Sequence, residues 1–134
     1  MLSMKAKYAI KSLVKMAKNK DTLLQSKEIA KAENLPSKFL ESILSDLKKY
    51  GFIKSKRGAQ GGYYLATEPK NIMMGDVLRK IDGPLAPIRC ASVTYYLACD
   101  DCLDEKKCSI RNIMFDVRNA ISEVLDKRSL EDML

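Results

Sequence analysis

Four cysteines are the residues of this chain best suited to chemistry: Cys90, Cys99, Cys102 and Cys108. Cys99-Asp-Asp-Cys102 is a CxxC pair, with one cysteine nine residues before it and another six after. Thiolates are soft ligands for zinc or iron, and a CxxC turn lets two of them reach one centre. The chain has no histidine, so four thiolates are the simplest way to fill four positions. The spacing lacks the doubled CxxC of many zinc ribbons, which disfavours purely structural zinc. The alternatives are a reversible Cys99–Cys102 disulfide with no metal, and inert thiols. Asp100, Asp101, Asp104 and Glu105 crowd the cysteines and raise the cost of forming thiolates unless a cation is present. Lys106, Lys107 and Arg111 partly offset that charge.

A second constellation can read nucleic acid. Ser37, Lys38, Glu41 and Ser42 recur on one side of a helical stretch whose other side is apolar. Serine and lysine can contact phosphates or base edges, and a glutamate can accept from the amino group of cytosine. Downstream, Lys54, Lys56 and Arg57 lead into Gly58-Ala59-Gln60-Gly61-Gly62, where glycine lets the backbone approach a partner closely. Taken alone, the helix face reads equally well as solvated surface; the basic, glycine-rich segment beside it favours DNA. Ser26, Ser37, Lys38, Glu41, Ser42, Lys54, Lys56, Arg57, Gly58 and Gln60 form the candidate contact set.

The elements that must position these groups follow from periodicity and punctuation. Tyr8, Ile10, Leu13, Val14 and Ala17 predict a helix from about Lys5 to Asn19, with Lys7, Lys11, Lys15 and Lys18 on another face. Ser26 is the expected N-cap of a second helix through about Glu33, with Glu28 in its first turn. Pro36 suits the first position of a third helix that reaches about Lys49, with Phe39, Leu40, Ile43, Leu44 and Leu47 as its buried face. Gly51 stands where a helix stops. Phe52–Arg57 and Tyr63–Ala66 are β-prone runs about a five-residue glycine-rich loop, which predicts a hairpin. Two helices joined by a tight turn and followed by a basic hairpin make a winged helix-turn-helix. A fourth helix is expected from about Met73 to Ile81, ended by Asp82-Gly83-Pro84. Residues 84–108 lack sustained periodicity, and a loop of that length in a compact domain needs something to tie it down. Ile110, Ile113, Met114, Val117, Ile121, Val124 and Leu125 then predict a long amphipathic helix from about Ser109 to Asp126. One short winged helix offers limited surface to cover that stripe, so Ile113, Met114, Val117, Ile121 and Val124 are the expected dimer seam.

The fold class is thus mainly α with a small β-hairpin wing. Residues 1–83 would form the DNA-binding unit with a linker helix, 84–108 the cysteine loop, and 109–134 the dimerisation helix and C-terminal tail. Charge follows the same division. Of the net +7, residues 1–70 hold 15 basic against 6 acidic residues, and residues 71–134 hold 9 against 11. A basic half can neutralise phosphates and release counterions. Membrane-surface binding would want one cationic amphipathic helix with aromatics, whereas these lysines are spread over several elements. Apolar runs are short and interrupted by charge, and the N-terminus lacks a signal-peptide pattern, so the expected compartment is the cytoplasm. There, cysteines serve as ligands or redox centres more often than as disulfide frameworks. An enzyme or electron carrier has less support: the chain shows no nucleophile–base arrangement, and its glycine segment does not follow P-loop spacing.

The sequence resembles the Rrf2 family of bacterial winged-helix regulators, whose members include sensors of iron–sulfur clusters, nitric oxide, iron and cysteine. The likeness runs through Tyr8-Ala9-Ile10, Ile29-Ala30, Phe39 to Leu47, Gly58 to Ala66 and Gly83-Pro84, then the cysteine segment, Val117-Arg118-Asn119-Ala120 and Leu125-Asp126. It implies a homodimer joined through the long C-terminal helices, a roughly palindromic site in double-stranded DNA, and a cluster near the dimer interface. The cluster implied is [2Fe–2S] or [4Fe–4S], with zinc or no metal as alternatives. In cluster-binding members three cysteines hold the cluster, and Cys90, Cys102 and Cys108 are their best counterparts. The fourth ligand varies in the family, as a histidine after the last cysteine or an acidic residue in the first helix. Arg111 and Lys7 stand in those regions, which leaves Cys99 as the substitute; the ranking of Cys99 against Cys102 stays open. Ala59 replaces the proline that many members carry in the wing.

Overall fold

A computed structural model describes residues 2–134; Met1, where the expected N-terminal unit begins, lies outside them. Helix α1 spans Met4–Lys18, α2 Ser26–Glu33 and α3 Ser37–Lys49; strands β1 (Ile53–Lys56) and β2 (Gly62–Leu65) form the wing, followed by α4 (Met74–Asp82) and α5 (Ser109–Leu125). The elements are those expected from the sequence, with shifts at their ends that have identifiable causes.

Ser3 caps α1, its hydroxyl accepting from the Ala6 N–H at 3.0 Å. Its own N–H and hydroxyl donate to Asp82 at the end of α4, so one cap joins the two helices. Ser26 is not the N-cap of α2 but its first residue; Gln25 is the cap, and Glu28 reaches back to accept the Gln25 N–H at 2.7 Å. Asn34 ends α2 in the left-handed region, φ 54°, which asparagine tolerates better than most residues. Pro36 is the N-cap of α3, not its first helical residue, with an extended ψ of 122°.

Leu40, Ile43, Leu44 and Leu47 are buried as the periodicity requires. Phe39 departs from the expected buried face. It is 39% exposed and meets Tyr8 of α1 edge-on, ring centroids 5.7 Å apart. Helix α3 stops in a Schellman motif, with Phe52 N–H donating to Leu47 O at 3.0 Å and Gly51 N–H to Lys48 O at 3.1 Å. Gly51 takes φ 82°, which a β-carbon would strain.

The wing pairs antiparallel, Ile53 opposite Leu65 and Lys56 opposite Gly62. Tyr63 also exchanges two backbone hydrogen bonds with Leu24, at 2.7 and 3.1 Å, so β2 is pinned on both edges. At the wing tip a Cβ on Gly61 would lie 2.0 Å from Lys56 O, so no side chain fits there.

Leu13, Ile29, Leu40, Ile43, Leu44, Leu47, Ile53, Val77 and Leu130 are fully buried. Leu130 comes from beyond α5. The chain returns to the start of α4, where Met74 N–H donates to Arg128 O and Leu130 N–H to Ile72 O, both at 2.8 Å. Arg79 of α4 grips Asp126 through two hydrogen bonds of 2.7 and 2.8 Å. The far end of α5 is therefore fastened to the winged-helix core. No helix among the described residues is long and apolar enough to cross a membrane.

Candidate functional site

The reading face is built by α3 and the wing. Leu40, Ile43, Leu44 and Leu47 commit one side of α3 to the core, which turns Ser37, Lys38, Glu41 and Ser42 outward; all four are exposed. Lys54, Lys56, Arg57, Gly58 and Gln60 are exposed on the wing, whereas Ser26 is half-buried at the start of α2. Among the described residues, Lys38, Lys54, Lys56 and Arg57 make no ion pair within the chain. Their charges are thus unpaired within the chain among the described residues. Sequence reasoning missed Gln25, whose side-chain amide donates to Ala59 O at 3.4 Å and links the wing tip to the start of α2. It also missed Tyr50, whose ring has the ammonium groups of Lys49 and Lys80 each 5.8 Å from its centre.

The cysteine loop is held by two short 3₁₀ turns, Arg89–Ala91 and Glu105–Lys107. Cys90 is buried in the first turn, which packs on α5. Cys99 is exposed, and its thiol donates to Cys90 Sγ at 3.8 Å. The CxxC segment makes one turn, Cys102 N–H to Cys99 O at 3.4 Å. Cys108 is the N-cap of α5, its Sγ accepting the Arg111 N–H at 3.4 Å.

Arg111 is the hub of this region. Its Nε donates to Cys90 O at 3.0 Å and lies 4.0 Å from Glu105 Oε2, while Glu105 also accepts from the Tyr96 hydroxyl. The guanidinium sits 5.9 Å from the centre of the Phe115 ring. One side chain therefore ties Cys90, the Tyr96–Glu105 contact and the first turns of α5 together.

The electrostatics oppose thiolates at Cys99 and Cys102. The hydrogen bond to Cys90, the charge of Cys90, loss of hydration and Asp101 push the Cys99 thiol above its ordinary range. Burial, then Cys108 and Glu105, push Cys102 up, against a lowering contact from the Asp104 backbone. A cation among the sulfurs would reverse that balance. A tetrahedral centre with metal–sulfur bonds of about 2.3 Å separates its sulfurs by about 3.8 Å, a spacing that the Cys90–Cys99 hydrogen bond also has. Among the described residues no three metal-ligating side chains converge on one point.

Helix α5 buries only Ser122. Ile113 and Val124 are each 59% exposed and Val117 is also exposed, while Met114 and Ile121 are half-buried. Ile121 and Leu125 also wall an apolar cavity of about 680 Å³ with Leu2, Ile10, Leu78 and Met133.

A helix-turn-helix followed by a hairpin wing defines the class: this is a winged-helix transcription regulator. The Rrf2 model, described as an iron-dependent transcriptional regulator, matches residues 2–134, and the chain belongs to that family. An Rrf2-like helix-turn-helix regulator of Rhodobacter capsulatus is 41% identical over 138 residues, spanning all of this chain and 92% of the relative. CymR of Bacillus subtilis is 34% identical across 98% of this chain and 88% of its own length. Its structure, described as that of the global cysteine regulator, superimposes with a TM-score of 0.80 over 99% of this chain and 95% of CymR. IscR of T. potens does so with a TM-score of 0.78 at 30% identity, covering 99% of this chain and 85% of IscR.

Proposed function

We propose that this chain is a cytoplasmic, homodimeric repressor whose grip on a palindromic promoter site is set by an iron–sulfur cluster on Cys90, Cys99, Cys102 and Cys108. Residues 1–83 read DNA through α3 and the wing, 84–108 carry the cluster, and 109–134 join the protomers along Ile113, Met114, Val117, Ile121 and Val124. One observation carries the reading: Arg111 fastens the loop that bears all four cysteines to the first turns of α5. When bound, the cluster supplies a redox- and iron-responsive tie between those cysteines. Its loss would leave Arg111 as the tie between the cysteine loop and the near end of α5, while Arg79–Asp126 holds the far end. That biases the placement of two reading heads joined through α5. The exposed apolar stripe on α5 supports the seam, since it would otherwise remain in water. The test is anaerobic purification with visible absorbance and iron, sulfide and zinc analysis. A brown protein whose absorbance is lost in Cys90→Ala, Cys102→Ala or Cys108→Ala is expected; a colourless protein with one tightly held zinc per chain would refute the cluster.

A second reading, a metal-free thiol switch, draws on the Cys90–Cys99 contact of 3.8 Å. The CxxC spacing alone suggests Cys99–Cys102 as the disulfide. Cleavage after Tyr96 and before Asp100 separates Cys90, Cys99 and Cys102 into different peptides, so mass analysis of oxidised protein identifies the bridge. A reversible disulfide in metal-free protein that still binds DNA would favour this reading.

A further inference from the structure

Resting on the reading of the wing as a DNA contact, we infer that Gln25 is a positioning residue, whose side-chain amide holds the wing tip where Lys54, Lys56 and Arg57 reach phosphates together. The two wing strands are four residues each, and a two-stranded hairpin by itself is marginal in water. Its tip, Arg57 to Gly61, lies beyond the last strand pair, Lys56 opposite Gly62. One backbone bond closes a turn there, Gly61 N–H to Gly58 O at 3.0 Å. Gly58, at φ 112°, has nothing within 4 Å of the place a β-carbon would take, so packing does not steady the tip at that point. Three like charges on so short a hairpin repel one another. Whatever freedom the tip keeps in the unbound protein is given up on binding, and that loss subtracts from affinity.

The segment Leu24-Gln25, which leads into α2, supplies the hold. Leu24 and Tyr63 exchange backbone hydrogen bonds of 2.7 and 3.1 Å at the base of β2. A β-carbon on Gly62 would lie 2.8 Å from Leu24 O, so the strand comes this close because position 62 carries no side chain. The Gln25 amide then donates to Ala59 O at 3.4 Å and extends the same contact to the tip turn. The wing is thereby tied to the start of α2 at both its base and its tip. The residue type matters. A neutral donor grips a carbonyl without touching the charges of the wing, whereas a carboxylate in that place would attract the wing's cations and compete with phosphate for them. The Gln25 N–H is taken by Glu28 at 2.7 Å, a backbone bond that a change of side chain at this position leaves in place.

The test is the salt dependence of binding to a duplex of arbitrary sequence, followed by fluorescence anisotropy on the full chain. Gln25→Met, Gln25→Asn and the triple variant Lys54→Ala, Lys56→Ala, Arg57→Ala are compared with the wild type. Gln25→Met removes the donor at nearly constant size. Gln25→Asn keeps an amide and a favourable helix cap but is one methylene short of Ala59. Neither changes the charge of the protein, yet both should lower the slope of log affinity against log salt by about 0.9 or more, the share of one phosphate contact. Added to the triple variant, neither should lower it further. Weaker binding at an unchanged slope means that Gln25 touches DNA itself, and overturns the inference. A slope lost in Gln25→Met but retained in Gln25→Asn assigns the effect to capping of α2 and overturns it as well. Wild-type slopes in both Gln25 variants, beside a reduced slope in the triple variant, overturn the inference while the wing reading stands. A triple variant with the wild-type slope overturns the wing reading and the inference together.

Discussion

Removing the three unpaired cations of the wing, Lys54, Lys56 and Arg57, isolates the electrostatic part of DNA binding. Each is exposed and has no acidic partner within the chain among the described residues, so each can displace a counterion from a phosphate. A contacted phosphate contributes about 0.9 to the slope of log affinity against log salt. Three contacts amount to about 2.7 for one engaged head. Between 50 and 200 mM salt that slope corresponds to roughly a 40-fold change in affinity, which the triple alanine variant should lose. The assay is fluorescence anisotropy with a duplex of arbitrary sequence, because this term is independent of the operator. A charge-matched control, Lys106→Ala, Lys107→Ala and Lys127→Ala, removes the same net charge from exposed positions on the cysteine loop and beyond α5. An unchanged slope in the wing variant, or an equal drop in the control, would refute the assignment of the wing to the phosphate backbone.

Further outcomes follow from the packing. Leu130→Ala removes a fully buried side chain and should cost about 2–5 kcal/mol in urea unfolding; a loss under about 0.5 kcal/mol would mean that the returning segment is not part of the core. Arg79 holds the Asp126 carboxyl below its ordinary range, chiefly through their hydrogen bond. A carboxylate with a depressed folded pKa stabilises above its unfolded pKa and ceases to as pH falls through the folded one. The wild type should therefore exceed Asp126→Asn by about 1 kcal/mol or less at neutral pH, with the gap closing in acid below the usual carboxylate range; a gap that widens in acid contradicts the pairing. Ile113→Asp with Val117→Asp places two charges in the proposed seam and should yield monomers in sedimentation, with DNA binding reduced toward that of a single head. A variant that stays dimeric would move the seam elsewhere.

Much of the reading face is legible in the sequence because period and punctuation agree there. Leu40, Ile43, Leu44 and Leu47 define the buried side of α3, so the outward direction of Ser37, Lys38, Glu41 and Ser42 follows from geometry alone. Pro36, the N-cap, and Gly51, one residue past the C-cap Tyr50, bracket the helix. The start of α2 shows the limit of such rules. Ser26 is a good capping residue, but the Gln25 N–H takes the Glu28 carboxylate and shifts the helix start by one position. Phe39 satisfies the apolar period yet sits at the edge of the stripe, where it meets Tyr8 edge-on and stays exposed.

The cysteine site is less legible, since its geometry depends on contacts between residues far apart along a loop. CxxC draws attention to Cys99 and Cys102, but the close sulfur pair is Cys90 and Cys99, joined by a reversal with no periodic signal. Arg111 reads in sequence as a nearby positive charge; its bond to the Cys90 carbonyl becomes visible only in the fold. Leu130 is similarly hidden. It is a lone leucine among Lys127, Arg128, Ser129, Glu131 and Asp132, and only the edge offered by Ile72 and Met74 gives it a place.

That buried leucine bears on how the protein is made. A ribosome delivers α1 through α4, with every residue of the reading face, long before it delivers Leu130, so the emerging head has an unfilled position in its core. Translation halted within the cysteine loop or α5 would leave a DNA-binding surface whose folding is incomplete, a natural target for proteolysis. Completion of the winged-helix core therefore waits on a residue that follows α5.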